Sequence, residues 1–323
     1  MKHPNKRRFV LQSLAASLVW VALPRALKLS GASALAATSL GSAVPVTAGL
    51  IQKAIPASGE LLPVIGMGSA RTFDVREKSI KMNPLGEVLR LFFQHGGRLI
   101  DSSPMYGRSE AVLGELLAKV PDKSKLFAAT KVWIDGKDQG IAQMHQSEQR
   151  MKVERFDLIQ IHNLRDWRTH LDTLREWKAQ QRLRYIGITT SHGRFHSELE
   201  QILTREKVDF LQLTYNIGNR DVEARLLPIA KERGIAVIVN RPFQRGSLFS
   251  RVKGKPLPEW SGDFQCRSWG QFFLKFAVSH PAVTCAIPAT SKPKHMSDNM
   301  GAGFGRLPEA SERRAMIEYF KTL

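Results

Sequence analysis

Short, continuous apolar runs alternate with amphipathic segments along most of this chain. Runs such as Ala236-Val237-Ile238-Val239 are typical of parallel strands buried on both faces, and apolar residues at helical spacing follow each run. The predicted strands are residues 64–68, 98–102, 126–132, 156–162, 185–190, 210–215, 236–240 and 284–288. The predicted helices are residues 85–95, 110–119, 139–151, 169–180, 197–205, 222–233, 269–279 and 295–300. The pattern therefore predicts eight βα units.

Eight such units favour an α/β fold of the (β/α)8 TIM barrel class, whose typical size is roughly 250 residues. The alternative is an open doubly wound sheet, which carries a Gly-x-Gly-x-x-Gly turn after its first strand. The stretch Gly66-Met67-Gly68-Ser69-Ala70-Arg71 lacks the third glycine. We therefore expect a single barrel domain over residues 61–323.

The first 36 residues have the pattern of an export signal. A basic start precedes an apolar stretch over residues 9–23, and Ala34-Leu35-Ala36 resembles a cleavage site. Asn5–Leu11 is similar to a twin-arginine signal, with Lys6 in place of the first arginine. An ordinary secretory signal or an uncleaved anchor is the alternative. We expect the export machinery as a partner and a periplasmic location, with residues 37–60 as a linker that lacks helical or strand periodicity.

The formal net charge is +19, and the signal segment holds six basic residues and no acidic one, which leaves +13 for the remainder. No basic run is interleaved with aromatic residues, so a nucleic-acid partner is not expected, whereas an anionic ligand would suit the charge. The two cysteines, Cys266 and Cys285, indicate neither a disulfide framework, nor a metal site, nor a thiol nucleophile.

The candidate chemistry lies at the ends of predicted strands. Asp101 ends the second strand, Lys131 lies near the end of the third and His162 ends the fourth, while Tyr106 follows in the loop after Asp101. The carboxyl ends of all strands meet on one face of a barrel, so these four side chains are predicted to converge.

The stretch Asp101–Glu110 resembles the Asp-x-Ala-x-x-Tyr-Gly-x-Ser-Glu signature of the aldo-keto reductases, and Ala129–Trp133 and Asp157–His162 resemble further family motifs. The resemblance extends from about Leu61 to Asn299 and implies reduction of a small-molecule carbonyl by a nicotinamide cofactor. It implies that Tyr106 is the general acid. By the same resemblance Lys131 lowers the pKa of Tyr106, Asp101 keeps Lys131 charged, and His162 donates a hydrogen bond to the substrate oxygen.

The resemblance also implies a cofactor site, with NADP expected and NAD as the alternative. Thr189, Thr190 and Gln212 correspond to residues that hold the nicotinamide carboxamide, although Thr190 replaces an asparagine. Asn240 replaces the aromatic residue that stacks on the nicotinamide, and Ala289 and His295 stand where many members hold the 2′-phosphate with lysine and arginine. The other cofactor contacts expected are Gly68, Ser69, Arg241, Phe243, Arg245, Ser247, Pro288, Thr290, Ser291, Lys292, Asp298 and Asn299.

Two other functions remain open from the residues. One is a nicotinamide-binding sensor, or a subunit of a larger assembly, with little turnover. The other is a glycosidase, which needs two facing carboxylates, of which Asp101 alone is well placed. The substrate and the oligomeric state are not predicted, but we expect the substrate pocket to involve Met105, Trp133, residues 163–167 and the tail after Met300.

Overall fold

The computed structural model describes residues 49–77 and 79–323, which belong to one compact unit. The predicted export signal at residues 1–36 lies outside the described residues, as do residues 37–48 of the predicted linker. Within residues 49–77 and 79–323, no helix is both long and apolar enough to cross a bilayer.

An antiparallel hairpin precedes the barrel. It pairs β1 (Gln52–Ala54) with β2 (Leu61–Pro63). The segment predicted as a linker without strand periodicity, residues 37–60, therefore contains the strand β1. The Lys53 ammonium group donates hydrogen bonds to the backbone oxygens of Val278 and Val283, each at 2.7 Å, and of His280 at 3.0 Å, so it fastens the hairpin to the C-terminal part of the chain.

Eight parallel strands form the barrel, in the order in which they occur along the chain. They are β3 (Met67–Gly68), β4 (Leu99–Asp101), β5 (Phe127–Val132), β6 (Leu158–His162), β7 (Tyr185–Thr189), β8 (Phe210–Thr214), β9 (Ala236–Asn240) and β10 (Val283–Ala286). Backbone hydrogen bonds between Gly66 and Ala286 and between Gly68 and Pro288 join the first strand to the last. The predicted (β/α)8 fold is confirmed.

Gly66 and Gly68 serve this closure. A Cβ atom at Gly66 would lie 2.9 Å from the backbone oxygen of Leu99, and one at Gly68 would lie 2.9 Å from that of Ile287. The two glycines therefore allow neighbouring strands to approach closely, which is a different use of glycine from the phosphate-binding turn of a doubly wound sheet.

Ten helices are present in the described part of the chain. They are α1 (Met82–Gln94), α2 (Ser109–Leu117), α3 (Lys137–Met151), α4 (Trp167–Ala179), α5 (His196–Arg205), α6 (Leu226–Glu232), α7 (Ser247–Arg251), α8 (Trp269–Ser279), α9 (Pro293–Gly301) and α10 (Ala310–Lys321). The helix predicted over 222–233 is divided into a short 3-10 turn and α6. The pattern did not predict α7 and α10.

The barrel interior is apolar at its N-terminal end. Phe127 stacks on Tyr185 with ring centres 5.7 Å apart, and Phe210 packs beside both. Ile55 and Leu62 of the hairpin region are fully buried in the same cluster, so the hairpin closes this end of the barrel. The polar interior residues lie towards the carboxyl ends of the strands, where the candidate site is found.

Candidate active site

Asp101, Lys131 and His162 lie at or near the carboxyl ends of β4, β5 and β6, and Tyr106 lies in the loop between β4 and α2. The structure brings all four together. The Lys131 nitrogen is 5.1 Å from the centre of the Tyr106 ring, and the Tyr106 and His162 rings meet edge to face with centres 5.9 Å apart.

Lys131 is a fully buried cation. Its side chain has no solvent exposure, and its ammonium group donates to Asp101 Oδ2 at 2.5 Å and to the backbone oxygen of Ser102 at 2.7 Å. Burial disfavours the ammonium charge, but Asp101 and Tyr106 together outweigh that effect and raise the pKa of Lys131 above its usual value. Lys131 therefore stays charged at neutral pH.

The second carboxylate oxygen of Asp101 is held by two glutamines. The amide nitrogens of Gln160 and Gln212 each donate to Oδ1 at 2.9 Å, so both oxygens of Asp101 are engaged. Gln160 was not among the predicted site residues. Its signal is the alternation along β6, where Leu158, Gln160 and His162 share the inward face.

The pKa of the buried Tyr106 phenol is determined by two opposing effects. Burial raises its pKa above the ordinary value of a phenol, and Lys131 opposes that rise without reversing it. Lys131 therefore acts on the pKa of Tyr106 in the predicted direction, but the burial of the phenol outweighs this effect and the net pKa is raised. The phenol is protonated at neutral pH, which is the state a general acid requires.

His162 is neutral. Burial, with the neighbouring Lys131 charge, lowers its pKa to about 3. Its Nδ1 lies 3.1 Å from the hydroxyl oxygen of Ser103, and the backbone N–H of Met105 points at the same oxygen from 3.4 Å. In the tautomer in which the Ser103 hydroxyl donates to Nδ1, the neutral ring carries its own proton on Nε2. Ser103 was also missed from the sequence, because it lies in a loop without periodicity.

A cavity of about 990 Å³ opens beside these groups. Asp101, Tyr106 and His162 line it, as do Met105 and Asn163, whereas Trp133 and the tail after Met300 do not, contrary to the prediction for the substrate pocket. The predicted cofactor residues that line it are Gly68, Ser69, Thr189, Arg241, Phe243, Arg245, Pro288, Thr290, Asp298 and Asn299.

The other five predicted cofactor residues lie outside the lining. Thr190 and Gln212 are buried behind it. Ser247 is exposed and donates its hydroxyl hydrogen to the backbone oxygen of Gln244 at 2.9 Å. Ser291 and Lys292 are exposed just ahead of α9.

Asn240, which stands in place of a stacking aromatic, ties neighbouring strands together. Its amide nitrogen donates to the backbone oxygen of Thr190 at 3.1 Å, and its oxygen accepts from the Thr214 hydroxyl at 2.7 Å. It still lines the cavity, but it presents a polar amide there instead of an aromatic ring face.

The far end of the cavity is built from α8 and α9. Asp298 accepts hydrogen bonds from the Ser268 hydroxyl at 2.7 Å and from the Gln271 amide at 3.0 Å. The same Ser268 oxygen accepts from the Gln271 backbone N–H and caps α8. Asp298 and Asn299 therefore occupy a rigid corner of the cavity. Across the described residues, no group of three or more His, Cys, Asp or Glu side chains is arranged to hold a metal ion.

Comparison with known proteins agrees with this architecture. The model of the aldo/keto reductase family matches residues 64–314. The methylglyoxal reductase YeaE of Escherichia coli is 26% identical over 254 residues, which cover 77% of this chain and 88% of that protein. The NADH-specific methylglyoxal reductase of Escherichia coli is 24% identical over 226 residues, covering 60% of this chain and 65% of that protein. An aldo/keto reductase of Klebsiella pneumoniae, solved with NADP and acetate, superposes with a TM-score of 0.69 at 20% identity, over 81% of this chain and 93% of that one.

Proposed function

The chain belongs to the aldo/keto reductase family, and we propose that it reduces the carbonyl group of a small aldehyde or ketone to an alcohol with NADPH. The observation that carries this proposal is the buried ammonium of Lys131 beside a protonated phenol, Tyr106, at the wall of the cavity. A phenol so placed has a fixed cation to stabilise the phenolate that it becomes after donating its proton.

Each group in the site has one task in this reaction. The His162 Nε2–H donates a hydrogen bond to the carbonyl oxygen and orients it. Tyr106 transfers its hydroxyl proton to that oxygen as the carbonyl carbon gains a hydride. The Lys131 ammonium stabilises the resulting phenolate, and Asp101 keeps Lys131 charged and in place. Solvent then returns a proton to Tyr106.

The cavity fits a dinucleotide in its charge and its extent. Its lining includes Tyr106, Thr290 and Asn299 as well as the two cationic side chains of Arg241 and Arg245. NADPH bound there supplies the hydride. The relative solved with NADP supports the choice of cofactor. In the part of the cavity expected to hold the adenosine and its 2′-phosphate, this chain has Ala289 and His295 instead of lysine and arginine.

Steady-state turnover of the purified full chain tests the proposal. Methylglyoxal is the first substrate to try, because relatives in Escherichia coli are methylglyoxal reductases. A panel of further aldehydes and quinones with NADPH and with NADH completes the assay. Tight nucleotide binding without turnover of any carbonyl would instead support the sensor or subunit role.

We also propose that residues 1–36 direct export by the twin-arginine route, which carries folded proteins. The support is the sequence pattern of that segment. Cell fractionation and N-terminal sequencing test it, with a mature protein that begins near Ala37 in the periplasm as the expected result. Replacing Arg7 and Arg8 by lysine should keep the precursor in the cytoplasm, and unchanged export of that variant would contradict the proposal.

A further inference from the structure

Four arginines lie close enough for their charges to interact and are called the arginine cluster here: Arg71, Arg194, Arg241 and Arg245. They come from the loops that follow β3, β7 and β9. Arg71, Arg241 and Arg245 line the cavity. Among the described residues, none of the four guanidinium groups has a carboxylate or any other hydrogen-bond partner.

The carboxylates that line the cavity have other partners than the arginine cluster. Asp101 is taken by Lys131, and Asp298 is taken by Ser268 and Gln271. Burial and the charge of Arg245 lower the pKa of Arg241 to about 10, and Arg194 and Arg71 act in the same direction. A set of mutually repelling cations that faces a cavity attracts an anion.

The backbone at Arg241 is held in an unusual conformation. Its φ angle is 51°, in the left-handed region that side chains other than glycine rarely adopt. The Asn216 amide donates to the Arg241 backbone oxygen at 3.1 Å, and the Gln244 N–H donates to the same oxygen at 2.9 Å. Backbone strain of this kind is retained mostly at functional sites.

The pyrophosphate of a dinucleotide does not account for the whole cluster. That group carries two negative charges, whereas three arginines of the cluster line the cavity. Arg245 lies on the loop expected to approach the pyrophosphate. Arg241 lies next to Asn240 at the end of β9, and its charge acts on Tyr106, where it opposes the rise in pKa that burial causes. Positive charge therefore remains close to the proton donor.

From this placement we infer that the substrate is a carbonyl compound bearing a carboxylate or a phosphate, which binds to Arg241 while its carbonyl oxygen lies at Tyr106 and His162. Arg71, on the loop after β3, also lines the cavity and adds to the attraction. The inference rests on the proposed reductase function and specifies the substrate of that same site. Arginine suits either anion, because its planar fork can donate two parallel hydrogen bonds.

Matched pairs of aldehydes test this inference. Glyoxylate and methylglyoxal have similar shapes, but glyoxylate has a carboxylate where methylglyoxal has an acetyl group. Glyceraldehyde 3-phosphate and glyceraldehyde provide the phosphate comparison. We expect kcat/KM to be about tenfold or more higher for at least one anionic member, with an advantage that shrinks as salt is added. Equal values within both pairs would overturn the inference and leave the reductase function intact, whereas turnover of no aldehyde would overturn the reductase function itself.

Two variants separate the arginine cluster from general charge effects. Arg241→Gln should reduce the anionic-to-neutral ratio of kcat/KM about tenfold. The matched control is Arg314→Gln, which removes the same charge from an exposed position on α10 and should leave the ratio unchanged. A rise of KM for NADPH alone in Arg241→Gln would assign the whole cluster to the cofactor and overturn the inference.

The affinity of the site for an anionic substrate can also be measured without catalytic turnover. Calorimetric titration of glyoxylate into the complex of the protein with NADP⁺ gives a dissociation constant without reaction, because the oxidised cofactor has no hydride to transfer. We expect the dissociation constant to rise about tenfold in Arg241→Gln. If that variant fails to fold, as judged by circular dichroism, Arg71→Gln serves in its place because Arg71 is exposed and makes no side-chain hydrogen bond within the described residues. Unchanged affinity in the folded variant would refute the inference.

Discussion

Replacing Asp101 by asparagine should destabilise the protein strongly, because it leaves the ammonium of Lys131 buried without a counter-charge. The Lys131 side chain has no exposure and that of Asp101 is 3% exposed, so water cannot take over the role of the carboxylate. After the change, Lys131 keeps only uncharged partners, among them the backbone oxygen of Ser102 at 2.7 Å, and has no counter-charge. Breaking a buried ion pair on one side costs about 3–5 kcal/mol.

A loss of this size is readily measured. At about 2–4 °C per kcal/mol for a domain near this size, the midpoint of thermal unfolding should fall by about 6–20 °C. The double variant Asp101→Asn, Lys131→Met should be more stable than Asp101→Asn alone, because it removes the unpaired charge as well. Unfolding in urea of the wild type, both single variants and the double variant gives the coupling energy directly.

The pH dependence of stability gives a second check with a definite sign. In the wild type the pKa of Lys131 is raised by Asp101 and Tyr106. The stabilising contribution of the Lys131 charge to the free energy of unfolding is therefore lost only as the pH rises through that raised value. In Asp101→Asn the effect of burial prevails, and the pKa of Lys131 in the folded state falls below its value in the unfolded state. The difference in free energy of unfolding between the wild type and Asp101→Asn should therefore shrink as the pH rises from about 7 to about 9. Additive free energies of unfolding in the four proteins, or a difference that grows over this range, would refute the account of Lys131 and Asp101 as one unit.

Three further predictions concern catalysis and the residues around it. Tyr106→Phe should lower kcat for carbonyl reduction by about 10²–10⁴-fold while NADPH binding, measured by fluorescence titration, is retained. His162 stays neutral above its lowered pKa of about 3, and Tyr106 stays protonated at neutral pH. For this reason kcat/KM for a neutral aldehyde should be flat between about pH 5 and pH 8. An inflection near the ordinary histidine pKa of about 6.5 would show that the imidazole titrates and would contradict this prediction. Gln160→Leu should cost about 1.5–3 kcal/mol in urea unfolding, because Asp101 loses one of its two amide donors, and a change below about 0.5 kcal/mol would show that Gln212 holds the carboxylate alone.

The sequence was sufficient for the barrel and for the four residues that meet at its mouth. Continuous apolar runs mark the strands, and the position of Asp101 and His162 at strand ends follows from those runs alone. Gln160 was within reach of the same reasoning, since it alternates with His162 along β6. The raised pKa of Tyr106 could not be predicted, because the sequence indicates the neighbouring charge of Lys131 but not the burial that outweighs its effect.

The hairpin could not be predicted for a different physical reason. Each of its strands has three residues, too few for an alternating pattern to stand out from chance. The groups that fix it are distant in the sequence, since the backbone oxygens bonded by Lys53 belong to residues 225, 227 and 230 positions further along the chain. No local signal encodes such a contact.

The hairpin also constrains when this protein can finish folding. Lys53 leaves the ribosome early, but the three carbonyl groups that it binds belong to the region just before and at the start of β10 and are among the last parts of the barrel to be synthesised. Ile55 and Leu62 likewise have no complete barrel interior to enter until β10 has paired with β3. Closure of the barrel and seating of the hairpin must therefore follow translation of nearly the whole chain, and until then the apolar interior remains open at its N-terminal end to chaperones and to aggregation.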